Sequence, residues 1–341
     1  MIDLNPTPDQ RQVLASVGKL LQARFAPARL RGHPTVSPDL ALLPMLAEQG
    51  VLGLGTAESV GGAGCSIVDE VLLFELLGQH LVSPAVLGAT IGARVALEAG
   101  DLDLATAIVA GRQPVCVAMA LRAFDAQALP GLDVQLLDAS EGALALLWND
   151  DDVLLLRAPP MAVLQSVTAT DRSAPLHRMS LGRDAMVYRR TCADSTLPQQ
   201  ANLLVAAQLL GMAQASGDMA VAYAGIRQQF GQPIGAFQAI KHRCADMAIR
   251  GEVLRAQLAF AALALRDGWS DAHTQVDACR LLAARTALAN ARGNIQVHGG
   301  IGFTAECDAH LYLLRAHLLE LLGGPLTRVA QRLAGAAPTI S

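Results

Sequence analysis

The spacing of apolar residues changes twice along this chain of 341 residues, and the two changes limit the folds that it can adopt. In residues 1–111 apolar side chains recur at helical spacing. In residues 112–195 short apolar runs such as VCVAMA and DVLLLRA are separated by Pro, Gly and Asp, as is typical of strands. Helical spacing returns in residues 196–341 as long Ala, Leu and Met stripes. The sequence therefore predicts a mainly α protein with a central β-domain and three domains with these limits.

The helical parts can be divided into individual helices. The spacing predicts helices over residues 7–25, 38–49, 67–81, 84–99, 101–110, 199–228, 236–267, 270–297, 306–322 and 325–335. A glycine-rich segment, 53–66, lies between two of them. It lacks the Lys-Ser/Thr ending and the preceding strand of a phosphate-binding loop, so we do not expect it to hold a phosphate.

Composition excludes several classes of protein. A formal net charge of −4 argues against a surface for nucleic acid or anionic membranes. No apolar run is long enough for a transmembrane helix, and MIDLNPTPDQ lacks the features of a signal peptide, which predicts a cytoplasmic location. The six cysteines are scattered without a C-x-x-C pair, so we expect reduced thiols rather than disulfides or a zinc site.

The segment from Arg227 to Ile249 reads as the end of one helix, a short elbow and the start of another helix. Arg227 and Gln238 stand on either side of the elbow. A guanidinium is a fixed fork of donors that suits a phosphate or pyrophosphate, and Gln238 could bond a nucleotide or orient the backbone nearby. An Arg at a helix end also commonly pairs with carbonyls or a carboxylate, so the spacing alone leaves both interpretations open.

A second segment, from Asn294 to Ala316, places Gln296, Gly299 and Gly300 close together. Paired glycines let a backbone approach a ligand closely, or let two helices cross tightly. The glycine pair alone leaves both interpretations open.

Together the two segments resemble the C-terminal domain of the acyl-CoA dehydrogenase flavoprotein family. The family pattern is R-x-x-F-G-x-x-I-x-x-x-Q followed by Q-x-x-G-G-x-G-F. Its fixed positions are filled by Arg227, Phe230, Gly231, Ile234, Gln238, Gln296, Gly299, Gly300, Gly302 and Phe303. The resemblance implies an N-terminal helical domain, a small β-barrel-like domain and a C-terminal four-helix bundle.

The resemblance also implies FAD as cofactor and the α,β-dehydrogenation of an acyl-CoA substrate. Electron-transfer flavoprotein or a similar acceptor would take the electrons. The residues implied to contact the ADP half of FAD are Arg227, Phe230, Gln238, Gln296, Gly299 and Gly300.

The chain departs from the family where the flavin ring is held. The family's loop after the first strand reads T-E-P-x-x-G-S-D, whereas residues 119–131 read MALRAFDAQALPG. A second signal, W-x-[ST], is absent because Trp148 is followed by Asn149 and Asp150. Whether this chain binds the flavin ring or only the ADP half stays open.

The catalytic Glu of the family is also missing from its usual place. Counting from the Gly-Gly pair leads to Gly323, and Glu320 is a surface carboxylate or a displaced base. Some members draw the base from the helix before the elbow, where the candidate positions here are Ala201 and Gln208. The only carboxylate in that helix is Asp218.

One branch of the family combines these features, because two diverged subunits form an α2β2 heterotetramer and share FAD. Such pairs act on CoA thioesters of steroid side chains in bacteria. The resemblance to this branch implies a second acyl-CoA dehydrogenase-like subunit that supplies the catalytic Glu. Two alternatives remain: a self-sufficient homo-oligomeric enzyme that uses Glu320, and a flavin-free structural partner subunit.

Overall fold

The computed structural model describes residues 5–32, 37–127, 129–182 and 184–336. The N-terminal part is helical. Its α-helices are α1 (Pro8–Arg24), α2 (Leu43–Glu48), α3 (Ile67–Gln79), α4 (Ala85–Glu98) and α5 (Leu102–Val109). Helix α1 begins with a capping box, in which the Thr7 side chain accepts from the Gln10 N–H and the Gln10 side chain accepts from the Thr7 N–H.

The single helix expected over residues 38–49 is divided in two, so that prediction was wrong in its extent. A 3₁₀ turn covers Pro38–Ala41, and α2 begins only at Leu43. The cause is Pro44, because proline has no N–H to continue a helix and its ring clashes with the carbonyl four residues earlier. Pro44 is tolerated in the first turn of α2, where an N–H needs no intrahelical partner.

The glycine-rich segment 53–66 folds onto itself and onto a buried ion pair. A Cβ at Gly62 would collide with the Thr56 carbonyl, and a Cβ at Gly55 would collide with the guanidinium of Arg94. Arg94 pairs with the fully buried Glu70 at 2.5 Å. These glycines therefore allow close packing within the protein.

The middle part is one seven-stranded sheet in the order β5-β6-β2-β1-β3-β4-β7. Its strands are β1 (Val115–Ala120), β2 (Asp133–Leu137), β3 (Leu144–Trp148), β4 (Asp152–Arg157), β5 (Gln165–Val167), β6 (Leu176–Ser180) and β7 (Met186–Thr191). Strands β1 and β3 are parallel, with Val115 opposite Leu144, and the other paired strands are antiparallel. In the described residues the outer strands β5 and β7 do not pair with each other.

Both faces of the sheet are buried. On β1, Val115 and Val117 belong to the large core shared with the helices, whereas Cys116 and Ala118 belong to a second core on the opposite face. Because alternate side chains point to opposite faces, a strand buried on both sides reads as a continuous apolar run. This explains why VCVAMA and DVLLLRA read as apolar runs without polar alternation.

Helix α4 packs against the sheet at very short range. A Cβ added to Gly88 would lie 2.7 Å from the Val115 carbonyl oxygen, and a Cβ at Gly92 would lie 3.3 Å from the Val115 side chain. Every residue of α4 from Ala85 to Ala96 is buried. The two glycines therefore let the helix backbone rest directly on β1.

The C-terminal part, as far as Ala336, contains five α-helices. They are α6 (Leu197–Ile226), α7 (Gln238–Arg266), α8 (Ala272–His298), α9 (Ala309–Leu319) and α10 (Leu326–Ala336). Helices α6 to α9 pack against one another as a bundle, and a hairpin of two short strands, β8 (Gln228–Gln229) and β9 (Gln232–Pro233), connects α6 to α7. Because α6 and α8 run in the opposite direction to α7, the ends of α6 and α8 meet the start of α7.

Buried charges join the three parts of the chain. Arg29 pairs with Asp39 at 2.6 Å and donates to the carbonyls of His80 and Leu81. Arg315, on α9, pairs with Asp171 of the middle part at 2.6 Å and also donates to the Leu81 carbonyl. The loop between α3 and α4 is therefore held by guanidinium groups from both sides.

A third carboxylate, Asp138, completes this network. It follows β2 and accepts a hydrogen bond from the hydroxyl of Ser83, whose N–H donates to Asp39 at 2.7 Å. Burial raises the pKa of Asp138 to about 6, a rise opposed by Arg315 and the Ser83 hydrogen bond and reinforced by Asp39 and Asp171.

None of the helices in the described ranges has the length and hydropathy needed to cross a bilayer. We propose residues 1–111, 112–195 and 196–341 as the limits of the three domains. This division is supported by the start of β1 at Val115 and of α6 at Leu197.

We expect Asp138→Asn to change how stability depends on pH. The folded-state pKa is raised above the ordinary 3.8, so the folded protein holds this proton more tightly than the unfolded chain, and stability is lost as the pH rises through about 6. Asp138→Asn should therefore gain about 2 kcal/mol in free energy of unfolding relative to wild type between pH 4 and 7.5, as measured by denaturant unfolding.

The control is Asp103→Asn, which alters an exposed carboxylate in the first turn of α5. Because no buried carboxylate is removed, this variant should not gain stability over wild type as the pH rises. A constant difference in stability between Asp138→Asn and wild type would contradict the prediction.

Candidate functional site

The elbow between α6 and α7 is a tight hairpin turn that projects an aromatic ring. Phe230 and Gly231 have φ values of 53° and 80°, the combination of a type I′ turn. A bulky residue at positive φ is uncommon, and the Phe230 side chain is 92% exposed. Its ring meets Phe237 edge to face, with 6.1 Å between the centroids. The chain thus holds an apolar ring in solvent by an unusual backbone conformation.

Arg227 lies at the end of α6 and is exposed. Its backbone is fixed, because its N–H donates to the Tyr223 carbonyl at 2.9 Å and its carbonyl accepts from the Ile234 N–H at 2.8 Å. In the ranges that the structure describes, its guanidinium has no hydrogen-bond or ion-pair partner. The side chain is therefore available to a ligand.

Gln238 is the first residue of α7 and is exposed. The first N–H groups of a helix have no partner within the helix, so this position offers backbone as well as side-chain donors. The elbow is anchored by Ile234 and Ile240, which pack beside a small apolar cluster that includes Ala224. Gln238 is thus presented to solvent from a fixed backbone.

The other predicted residues lie at the end of α8. Gln296 is exposed, and α8 ends at His298, followed by Gly299, whose φ of 65° is in the left-handed region. Gly299 and Gly300 have no atom within 4 Å of the place where a Cβ would be. Gly302 differs, because a Cβ there would lie 2.7 Å from the Ile295 carbonyl oxygen. The first two glycines face open space, and the third allows close packing.

A stack of two rings joins these two groups of residues. The rings of Tyr223 in α6 and His298 in α8 lie 4.2 Å apart between centroids at an angle of 21°. Consequently Arg227, Phe230, Gln238, Gln296, Gly299 and Gly300 all lie at one end of the bundle. Sequence analysis missed the stack; a histidine before the Gly-Gly pair was visible, but nothing in the sequence paired it with Tyr223.

The positions predicted for the flavin ring and the base also come together, in a cavity of about 360 Å³ between the sheet and α10. It is lined by residues from Ala118 to Phe124, by Trp148 and the two residues that follow it, and by the loop around Gly323. Pockets for small ligands have volumes of this order.

The wall of this cavity at Gly323 leaves no room for a side chain. Trp148 is buried and its indole N–H donates to the Asn202 amide oxygen at 2.9 Å. Gly323 has a φ of 73°, and a Cβ there would lie 2.5 Å from the Trp148 Nε1 and closer still to the Asn202 oxygen. Carbon and nitrogen in contact stay more than 3 Å apart, so a Glu could stand here only if this contact were rebuilt.

One arginine holds the same loop, and a second arginine bonds Asp150 in the cavity wall. Arg280, on α8, donates to the carbonyls of Leu322 at 2.6 Å and Gly324 at 2.5 Å. Its burial lowers its pKa to about 10. Arg332, on α10, bonds both Asp150 and Asp277. Asp150 stands where the family's W-x-[ST] signal places a hydroxyl, and here it is occupied by ion pairs that sequence analysis did not foresee.

The alternative carboxylates and helix positions are not arranged as a base. Glu320 lies at the end of α9, with its carboxylate 2.9 Å from the Nδ1 of His317, and it does not line the cavity at Gly323. Ala201 and Gln208 are buried in α6, where Gln208 packs against Gly78 of α3.

No group of three His, Cys, Asp or Glu side chains within the described ranges is placed to hold a metal ion. All six cysteines are unpaired.

Two family models match the chain. Residues 7–107 match the model described as acyl-CoA dehydrogenase, N-terminal domain, and residues 195–335 match acyl-CoA dehydrogenase, C-terminal domain. Neither match covers the middle part, where the flavin-ring signals are missing.

Two relatives come from Mycobacterium tuberculosis. Acyl-CoA dehydrogenase FadE34 is 38% identical over 82% of this chain, and this chain spans only 40% of its length. Acyl-CoA dehydrogenase IpdE2 is 31% identical over 93% of this chain and 94% of its own length.

Solved structures share the fold. The ChsE4–ChsE5 complex from Mycobacterium tuberculosis has a TM-score of 0.81 at 22% identity, covering 99% of this chain and 100% of that chain. The Tcur3481–Tcur3483 steroid ACAD has a TM-score of 0.78 at 24% identity, covering 96% and 97%. A glutaryl-CoA dehydrogenase from Mycobacterium smegmatis in complex with FADH2 has a TM-score of 0.79 at 18% identity, covering 97% and 95%.

These matches confirm the predicted fold of helical, sheet and helical domains. From its two domain matches and its near full-length similarity to IpdE2, the chain belongs to the acyl-CoA dehydrogenase family.

Proposed function

We propose that this chain is one subunit of an FAD-dependent acyl-CoA dehydrogenase and that it is active only with a second, acyl-CoA dehydrogenase-like subunit. In this proposal the chain contacts the ADP half of FAD, and the partner supplies the catalytic Glu and the cradle of the flavin ring. The observation that carries the proposal is the closed contact between Gly323, Trp148 and Asn202, at the position where the family keeps its base.

The exposed end of the bundle fits the ADP half of FAD. The guanidinium of Arg227, which has no partner among the described residues, suits a pyrophosphate, because its donors form a planar fork. Gln238 and Gln296 offer amide donors and acceptors, and Gly299 and Gly300 leave the backbone open to close approach. Because these groups face outwards, the rest of a nucleotide site would have to come from another surface, which favours a cofactor shared between subunits.

The residues around the cavity at Gly323 do not fit the flavin ring as the family holds it. The indole N–H of Trp148 is already bonded to Asn202, and Asp150 is paired with Arg332. A buried donor or acceptor that lost such a partner would cost about 1–3 kcal/mol.

In the proposed reaction a carboxylate removes the α-proton of a CoA thioester. FAD, when bound, supplies the acceptor for the hydride that leaves the β-carbon. The part of this chain is to bind and orient the ADP half through Arg227 and its neighbours. Electron-transfer flavoprotein or a similar protein is the proposed acceptor of the electrons.

A bulky acyl group, such as a steroid side chain, is the proposed substrate class. Of the structures with this fold, Tcur3481–Tcur3483 is a steroid ACAD and ChsE4–ChsE5 is a complex. Both support the proposal of a heterotetramer by analogy. We propose a cytoplasmic location for this assembly.

The first test of the proposal is activity with and without the partner. Purified alone, the chain should show almost no turnover of acyl-CoA or steroid-CoA thioesters with an artificial acceptor, because loss of a general base lowers rates by about 10²–10⁴-fold. Co-expression with the acyl-CoA dehydrogenase-like partner should restore activity, and Glu320→Gln should leave it intact. Robust turnover by the chain alone that Glu320→Gln abolishes would establish the self-sufficient enzyme instead.

Arg227→Ala should weaken the retention of FAD by the assembled complex. Loss of a charge-assisted hydrogen bond costs about 1.5–3 kcal/mol. The measurement is the dissociation constant of FAD from the complex, followed by flavin fluorescence. Arg24→Ala, which removes an exposed arginine at the end of α1, is the control and should leave it unchanged. Equal FAD affinity in both variants would count against the assignment, and a complex without flavin would favour the structural subunit.

Gly323→Ala tests the closed contact, with Gly324→Ala as its matched control. Both glycines have positive φ, which costs an alanine about 1–2 kcal/mol, but a Cβ at Gly324 meets nothing within 4 Å. The contact with Trp148 and Asn202 should cost Gly323→Ala a further 1–3 kcal/mol or so in free energy of unfolding. Equal losses in the two variants, measured by denaturant unfolding, would show that the position has room for a side chain.

A further inference from the structure

We propose that Tyr223 and His298 are positioning residues for the FAD site. Their ring stack fixes the position of Arg227 relative to Gln296 and Gly299. This inference rests on the proposed function, in which the exposed end of the bundle binds the ADP half of FAD. Neither ring belongs to the motifs from which the site was predicted.

The stack lies where the two halves of the site meet. Tyr223 is in the last turn of α6, and its carbonyl accepts the N–H of Arg227 at 2.9 Å. His298 is the last residue of α8, directly before Gly299 and two residues after Gln296. A shift between the rings would therefore move the guanidinium relative to the glycine turn.

The imidazole is fixed in its plane. Its Nδ1 lies 2.9 Å from the Asn294 carbonyl oxygen. A carbonyl only accepts, so Nδ1 carries the proton of this bond. The turn that follows packs against the same residue, since a Cβ on Gly302 would lie 3.1 Å from the His298 Cβ. The ring that Tyr223 meets is thus held by its own helix and by the glycine turn.

The tyrosine ring is tied to the elbow. Tyr223, Ile234 and Ile240 pack around one small cluster, whose buried members are Ala220, Ala224, Met247 and Val297. Ile234 is also the residue whose N–H bonds the Arg227 carbonyl. The stack therefore connects the glycine turn, through Tyr223, to the backbone that carries Arg227. Binding groups must be held to about 0.5 Å for full effect, so the loss of this link should weaken binding without removing any contact.

The test is a double-mutant cycle on the co-expressed complex, with the dissociation constant of FAD as the measurement. Tyr223→Leu alone should weaken FAD binding about 3- to 10-fold, the scale of a lost ring pair. In an Arg227→Ala background the same change should cost less than about 2-fold, because the group that it positions is already gone. His298→Leu should behave in the same way and removes the stack from the other side.

Two controls separate positioning from general stability. Tyr223→Phe keeps the ring and should bind FAD as wild type does. Phe260→Leu breaks another ring pair, with Trp269 at 5.2 Å between centroids, in the same bundle. Phe260 is 22 residues along α7 from Gln238, or about 33 Å at 1.5 Å per residue, so this variant should lower the melting temperature without changing FAD affinity.

The outcomes distinguish the inference from the proposed function. If Arg227→Ala leaves FAD binding unchanged, the site is wrong and the inference falls with it. If Arg227→Ala weakens binding but Tyr223→Leu and His298→Leu do not, the proposed function stands and the inference is overturned. If the fold-loss in FAD affinity from Tyr223→Leu or His298→Leu is as large in the Arg227→Ala background as in wild type, the inference is also overturned. The ring stack would then stabilise the protein without positioning Arg227.

Discussion

The geometry of this molecule depends on charges buried where its three parts meet. Arg315 and Asp171 are each almost fully buried, and Arg29 and Asp39 form a second pair in the same network. A buried charge that loses its partner costs several kcal/mol, so every part of the chain that contributes one must stay in place. The sheet and the bundle are thereby held in fixed positions, and each can present groups at a distance from this junction.

Helix α6 connects two ends of very different character. Its 30 residues span about 45 Å at 1.5 Å per residue. Every residue from Ala201 to Ala213 is buried, and Asn202 joins Trp148 in the contact that closes the position of Gly323. At the other end Ile226 and Arg227 are exposed, and the guanidinium of Arg227 is unpaired in the described residues. The start of α6 thus borders the closed contact at Gly323, and its end presents Arg227 to solvent. These are the closed end and the open end of α6.

Much of the fold could be predicted because it follows from local spacing. The long helices and the runs around β1 to β4 were visible as patterns of apolar residues. Pro44 interrupted one predicted helix. The spacing of apolar residues, from which that helix was predicted, does not register the loss of a single hydrogen bond at a proline. The sequence showed that Gly323 is not a Glu. It could not show that Trp148 and Asn202 leave no room for one, nor that Arg280 bonds the loop around Gly323 and that Tyr223 meets a ring on α8.

The two ends of α6 differ in what a working enzyme would need there: a base at one end and a covering surface at the other. At the closed end, a base would require more than a single substitution, because Gly323, Trp148 and the loop held by Arg280 would all have to move. At the open end, the Phe230 ring is 92% exposed on a backbone that disfavours it, a cost that is offset only if the ring is covered by something else. A subunit without its own base, whose nucleotide-binding end is covered by another chain, would explain both the closed base position and the exposed ring. A self-sufficient enzyme would explain the exposed ring but not the closed base position.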